Sequence, residues 1–255
     1  MISNSDFTSE NLIEFVIAIP SYNETSALPT LIKSLAPLLT PADLILVLDD
    51  SSIEIHNEIR SSINEIVNNS GCNILFSHQN RKSGRGASVR RGMLISREQF
   101  PALRYFIECD ADGSHQVHDI VDIKNLQITC DLLIGSRYLK ESQIIGWPIT
   151  RRIFSKILNI IIPFLLNIPI KDITNGLRRY TPEAIDQILS KEPINKGFTY
   201  LSEQAYLLRQ GNLTIAETPI TFIERISGKS TVTWKEIADS LKGVFKLALL
   251  KNKMR

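Results

Sequence analysis

The sequence predicts an α/β fold, a mostly parallel sheet flanked by helices on both faces. Two observations carry this reading. Through the first half of the chain, short apolar runs alternate with segments of helical spacing, the β-α-β-α rhythm of a parallel sheet covered by helices. Three of the runs end in polar, acidic turns, and in such sheets ligands bind beyond the carboxyl ends of the strands.

Phe15–Ile19 reads as a buried strand, followed by Leu28, Leu31, Ile32 and Leu35 at helical spacing. Leu44–Leu48 is a second strand, and Ile55, Ile59, Ile63, Ile66 and Val67 trace another helix face. Asn73–Phe76 gives a third strand, and a helix from about Ala87 to Arg97 leads to strand Tyr105–Cys109. Asp131–Gly135 is a further strand. Beyond Ser142 the pattern becomes mainly helical, over Ile149–Leu166, Pro182–Leu189 and Tyr200–Arg209. A strand at Leu213–Phe222, a glycine-containing polar loop at Glu224–Thr231 and a closing helix from about Thr233 complete the chain. Without repeats, low-complexity tracts or a linker, a single domain is expected.

The 255 residues are 43% hydrophobic and 22% charged, enough for one sizeable core. A net charge of +2 gives no reason to expect a nucleic-acid partner. Five cations crowd Asn80–Arg91 without an acid; a phosphate-bearing ligand or a solvated basic loop accounts for them, and Arg90 and Arg91 read as solvated helix residues. Three scattered cysteines suit a reducing compartment, and Cys109 reads as core. The polar N-terminus lacks the pattern of a signal sequence. No segment has the roughly 20 apolar residues of a membrane span, so a soluble or peripheral protein is expected.

The strand ends are followed by Pro20-Ser-Tyr-Asn-Glu24, Asp49-Asp-Ser-Ser52 and Asp110-Ala-Asp112. One acidic strand end is commonly a cap or turn; three on one rim indicate a site. Carboxylates at i and i+2 can share one hard cation while it holds a diphosphate. Asp49 and Asp50 suit hydrogen bonds from a base or ribose, or simply a strand-to-helix turn. His115 and His118 are spaced for zinc but belong more naturally to a polar site.

Together these pieces resemble glycosyltransferase family 2, with its GT-A (Rossmann-like) fold, and within it the dolichol-phosphate (polyprenol-phosphate) mannosyltransferases. The matching pieces also include Lys82-Ser-Gly-Arg-Gly-Ala87, Gly135-Ser-Arg-Tyr138, Trp147-Pro-Ile-Thr-Arg151, Asp172-Ile-Thr-Asn-Gly-Leu-Arg178 and Arg225-Ile-Ser-Gly-Lys-Ser230. They run in family order over most of the chain. The resemblance implies a GT-A domain over 1–231 and an amphipathic helix over 232–255 that is not a separate domain.

The resemblance also implies roles. Pro20, Tyr22, Glu24, Asp49 and Asp50 would line the nucleotide pocket. Gly84, Gly86 and Ala87 would let the backbone approach, and Lys82 would contact phosphate or ribose. Asp110 and Asp112 would hold Mg²⁺ or Mn²⁺. Ser114 stands where relatives often carry a metal-serving glutamine; its weaker hydroxyl leaves the shell to water or His115. Arg137, Arg151 and Ser155 would grip the acceptor phosphate, and Arg225 would cover the donor diphosphate. Relatives place a basic residue where this chain has Thr231, so Lys229 is the substitute. Gln116 replaces a usual proline at the entry to the next helix. Trp147-Pro148 reads equally as a packing anchor or a site element.

The implied reaction is inverting transfer of a hexose, foremost mannose from GDP-mannose, to a polyprenyl phosphate. A UDP-sugar transferase acting on a similar lipid or a saccharide is the alternative, as is an inactive scaffold subunit. The expected location is cytoplasmic, peripheral on the cytoplasmic membrane face. Ile157–Ile170 and the basic amphipathic 232–255 segment are the candidate membrane contacts; otherwise both pack on the core, or the closing helix docks onto a small membrane subunit.

Overall fold

A computed structural model of the chain describes residues 12–193 and 199–224. Arg225, Lys229, Thr231 and the 232–255 helix lie outside the described residues.

Four parallel strands form where the apolar runs predict them: β1 (Phe15–Ser21), β2 (Asp43–Asp49), β3 (Asn73–His78) and β4 (Tyr105–Glu108). Their spatial order is β3-β2-β1-β4, with Ile17 paired to Ile45 on one side and Ile107 on the other. All seven residues of β2 are buried, as a strand between two helical layers requires. The connecting helices are α1 (Ala27–Leu35), α2 (Ile53–Ser70), α3 (Arg85–Gln99) and α4 (Val117–Asn125). Helix α3 begins two residues earlier than its apolar spacing suggests. Gly84, at φ 91° and ψ 147°, takes a backbone conformation closed to other residues and opens the helix at Arg85.

The second half holds β5 (Leu132–Ser136), β6 (Gln143–Ile145), α5 (Ile149–Leu166) and β7 (Arg178–Tyr180). It continues with α6 (Pro182–Leu189), α7 (Tyr200–Gln210), β8 (Ile215–Pro219) and β9 (Thr221–Ile223). The main sheet has seven strands in the order β3-β2-β1-β4-β7-β5-β8, and β6 and β9 form a separate parallel pair. Residues of α3, α5, α6 and α7 form the core on one face of the main sheet; residues of α1, α2 and α4 form it on the other. Cys109 is fully buried there, as its sequence context indicates.

The sheet departs from the sequence expectation in two places. Strand β7 runs antiparallel between β4 and β5, so the sheet is mixed. Its Arg178 and Arg179 are 0% and 1% exposed, which no apolar pattern announces. Arg179 donates to the carbonyls of Ile123, Leu126 and Ile128 at 2.7–2.9 Å, satisfying the open end of α4 with a cation where the helix dipole favours one. The run Leu213–Phe222 is two strands, not one. Ile220 leaves the ladder, packs on Gly135, where a Cβ would lie 2.9 Å from it, and redirects β9 to β6.

Candidate active site

The rim beyond β1, β2 and β4 is tied together by its own polar groups. Asp49 is fully buried, and its carboxylate accepts from the Ser51 hydroxyl at 2.6 Å and faces His56 Nδ1 at 2.8 Å. Asp50 is 3% exposed and accepts from Ser88 Oγ at 2.7 Å, Arg91 Nη2 at 2.9 Å and both the amide and hydroxyl of Ser83. These two acids therefore fasten the 81–88 segment and the start of α2 onto β2, where the sequence reading has them facing a nucleotide. Asn23, at φ 61°, donates its amide to Ser51 Oγ at 2.8 Å, binding the first loop to the second. Tyr22 remains exposed, with Lys82 Nζ 4.9 Å from its ring centroid, so an aromatic face and an ammonium lie side by side. Pro20 pairs with Leu48 inside the sheet, and Glu24 is half-buried beside Tyr22 in the chain.

Arg90 and Arg91, expected in solvent, are both engaged. Arg90 donates to the carbonyls of Ile188 and Leu189 at the end of α6, and Arg91 reaches Asp50 and Ser77. Gly86 serves packing: a Cβ there would lie 2.8 Å from Tyr200 Cγ. Ala87 is half-buried and closes the first turn of α3 with Gly84.

Under Asp110 lies a network that the sequence reading misses. Arg85 Nε donates to Asp110 Oδ1 at 2.7 Å, Nη1 to Glu108 Oε2 at 3.2 Å and Nη2 to the Gly176 carbonyl at 3.0 Å. Glu108 is fully buried and also accepts from Tyr180 at 2.7 Å and Tyr200 at 2.9 Å. Burial pushes the Glu108 carboxyl upward, with Arg85 and Arg178 opposing it. Burial would also raise Asp110, but the Arg85 guanidinium brings it below its ordinary value. Its second oxygen lies 3.8 Å from His115 Nδ1.

Asp112 forms the turn after Asp110, with Oδ1 accepting the Ser114 amide at 3.1 Å and Gly113 at φ 74°. His115 is no metal ligand in this geometry. Its Nδ1 accepts the Asp110 amide at 3.1 Å and its Nε2 faces Asn175 Oδ1 at 2.9 Å, so both ring nitrogens are spent. Burial lowers its pKa. Ser114 is 2% exposed, and its hydroxyl makes no hydrogen bond among the described residues. Two rim carboxylates two residues apart, followed by an orphaned hydroxyl, are oxygen donors that would suit a hard divalent ion.

Asp49, His56 and His78 also bring ligand atoms within 4.8 Å of one another. The two rings are stacked at 4.0 Å and 17°, which sets their lone pairs side by side rather than at one point. His78 Nε2 is bound to the Ser51 carbonyl at 2.9 Å. The trio braces the Asp49–Ser51 loop.

Arg137 is 8% exposed and forms a bidentate pair with Asp172, at 2.8 Å to each oxygen, plus a bond to Thr174. In this structure it stabilises the wall of the site. Arg151 sits in the first turn of α5, its guanidinium 4.2 Å above the Trp147 ring centroid and its Nη1 2.6 Å from each Glu224 oxygen. Trp147, 7% exposed and edge-on to Phe222, is thus a packing anchor on which Arg151 rests. Ser155 lies one turn beyond Arg151, half-buried on the same inner side as Asn159. Strand β9 is stitched to the acidic turn by Ile223 N to Ser114 O at 3.1 Å and a His115–Phe222 bridge. The acidic turn, the Trp147–Arg151 element and the residues before Arg225 therefore share one support.

The family model for glycosyl transferase family 2 matches residues 16–189. The chain belongs to that family. It is 31% identical over 235 residues to a polyprenol monophosphomannose synthase of Mycolicibacterium smegmatis, covering 91% of this chain and 85% of that protein. It is 27% identical over 231 residues to an undecaprenyl-phosphate mannosyltransferase of Micrococcus luteus, covering 91% and 92%. Among solved structures, glucosyl-3-phosphoglycerate synthase from Mycobacterium tuberculosis with Mn²⁺, UDP and phosphoglyceric acid superposes with a TM-score of 0.59 at 17% identity, over 93% of this chain and 78% of that one. That likeness bears on the fold, and it is the GT-A fold expected from the motifs. The chain is a glycosyltransferase.

Proposed function

We propose that this glycosyltransferase moves a hexose, mannose from GDP-mannose, onto a polyprenyl phosphate with inversion at the anomeric carbon. Both curated relatives are named for mannose transfer to a polyprenyl phosphate. One observation on this chain carries the reading. Helix α5 turns Arg151, Ser155 and Asn159 inward and leaves Ile149, Ile153, Ile157, Ile160, Ile161 and Phe164 exposed, Phe164 by 83%. A single helix thus joins a phosphate-gripping side to an apolar side suited to the acyl boundary of a bilayer. The exposed stripe starts two turns before the Ile157–Ile170 segment singled out in the sequence, because Ile162, Leu166, Ile168 and Ile170 are buried in the core. No helix of the described residues is long and apolar enough to cross a membrane. In this reading the exposed face of α5 rests on the cytoplasmic leaflet, alone or beside a small membrane subunit.

In this reading Asp110 and Asp112 hold Mg²⁺ or Mn²⁺, which as a Lewis acid would stabilise the departing diphosphate. Tyr22 and Lys82 offer the nucleotide an aromatic face and a cation. Arg225 and Lys229 complete the donor side, as the family resemblance implies. Arg151 and Ser155, braced by Arg137, hold the acceptor phosphate. That phosphate is already an anionic nucleophile near neutral pH, so no side chain has to remove its proton. The residues contribute positioning and charge compensation for two anions that repel one another. Titration with GDP and UDP, each with and without Mn²⁺, followed by product analysis with labelled nucleotide sugars and lipid phosphates, tests this. Metal-dependent preference for UDP would replace the donor with a UDP-sugar. No metal-dependent nucleotide affinity at all would leave a scaffold subunit.

A further inference from the structure

We propose that Glu224 is a built-in competitor of the acceptor phosphate: it holds Arg151 until a phosphate monoester displaces it, and so sets the affinity for the acceptor. The inference rests on the reading of Arg151 as an acceptor-phosphate ligand. Both oxygens of Glu224 lie 2.6 Å from Arg151 Nη1, while the flat guanidinium rests on Trp147 at 4.2 Å. The arginine is thereby fixed on its face and engaged at its edge by an anionic group with two oxygens.

The placement of Glu224 is constructed. Its amide donates to the Ile145 carbonyl at 2.9 Å, and strand β9 immediately before it pairs with β6. Gly146, at φ 85°, leaves the space the side chain uses, since a Cβ there would lie 2.9 Å from Glu224 Cβ. Glu224 and Asp112 line the same cavity of about 420 Å³ between α1 and the acidic turn. An incoming anion at Arg151 meets the Glu224 carboxylate, which shares that cavity with Asp112.

The pair is also displaceable. Its side chains are 35% and 30% exposed, so water screens the attraction. A phosphate monoester brings up to two charges and three acceptor oxygens near neutral pH, against one charge and two oxygens for the glutamate. Arginine favours such a ligand because it binds phosphate in bidentate fashion. A neutral hydroxyl acceptor brings no charge with which to displace the carboxylate, so the same contact favours phosphates over alcohols.

The test is calorimetric binding of farnesyl phosphate, a short-chain prenyl monophosphate, to full-length protein. Glu224→Gln keeps the size of the side chain and removes its charge. The expected result is a dissociation constant about three- to five-fold lower than wild type, the scale of a part-exposed ion pair. Arg151→Ala should bind farnesyl phosphate weakly, and adding Glu224→Gln to it should bring no gain, the non-additivity of two groups that act on each other. If wild type binds and Glu224→Gln binds equally or more weakly, Glu224 merely orients Arg151 and the inference is overturned. If the gain persists in the Arg151→Ala background, it does not act through Arg151 and the inference is likewise overturned. A wild-type protein with no affinity for farnesyl phosphate would instead overturn the acceptor reading itself.

Discussion

Arg85→Leu is the sharpest perturbation of the buried network. It removes the guanidinium from Glu108, which is 0% exposed, and from Asp110 at 2.7 Å. Stripping one partner from a buried ion pair costs about 3–5 kcal/mol, because the remaining charge stays desolvated. Arg85 is 19% exposed and Glu108 keeps the two phenols of Tyr180 and Tyr200, so the lower end, about 3 kcal/mol, is expected. At about 2–4 °C per kcal/mol for a chain of this size, the melting temperature should fall by about 6–12 °C. The loss should also depend on pH. Burial already pushes the Glu108 carboxyl upward and Arg85 restrains it, so the variant raises it further. A carboxyl raised on folding contributes stability below its unfolded value, near 4.3, and loses it as pH climbs through the folded value. The variant should therefore melt lower as pH rises from about 5 to about 8, while wild type changes less over this window. Adding Glu108→Gln, which removes the stranded charge, should recover roughly half of the loss. Thermal melts of the three proteins across pH are the assay. A melting temperature for Arg85→Leu within about 2 °C of wild type near pH 7.5, or further destabilisation by Glu108→Gln, would refute the reasoning.

Asp112→Asn should keep the melting temperature within a few degrees and reduce sugar transfer by at least about a hundred-fold in saturating Mg²⁺ or Mn²⁺, the scale of losing metal stabilisation of a leaving group; near wild-type turnover would remove Asp112 from the metal site. Ile160→Ser with Phe164→Ser, both on the exposed face of α5, should weaken co-flotation with anionic vesicles while leaving GDP affinity intact; unchanged flotation would assign docking to another segment or a partner. Burial lowers His56, and it does so more than Asp49 raises it. Protonation therefore opposes folding, and stability should hold above about pH 6.5 and decline below it, a decline that His56→Gln should flatten in thermal melts.

The sequence makes legible what rests on repetition. Strands β1 to β5 and the helices α1 to α3 and α5 to α7 announce themselves because apolar residues recur at spacings that burial demands, whereas α4 enters only as the helix that the family resemblance places after Gln116. The acidic strand ends are legible for the same reason, since polar groups after a buried run stand on the rim. What is hidden rests on single residues bonded across long sequence distances. Nothing near Glu108 forecasts that it meets Tyr200, 92 positions away, although an acid inside the buried run Tyr105–Cys109 is a usable signal. Likewise nothing in the sequence marks Arg178 and Arg179 as buried, because their partners are backbone carbonyls, which leave no mark in composition. Asp49 and Asp50 stand at the strand end the motif marks, and only the neighbouring hydroxyls, guanidinium and imidazole reveal that they fasten loops there. Glu224 carries no pattern at all, and its partner Arg151 is 73 positions earlier.

Strand β7 also governs the order in which this chain can assemble. β4 and β5 follow one another along the chain, yet they never touch; a three-residue strand that comes some forty positions after β5 separates them. As the polypeptide leaves the ribosome, β1 to β4 can zip together early through neighbouring crossovers. Their sheet then ends in a raw edge at β4 that stays open until Tyr180 has emerged. Antiparallel insertion closes this edge and supplies the template for β5, to which β8 adds last. Until Tyr180 has been made, the edge of β4 has no partner, and an unpaired strand edge invites unwanted pairing.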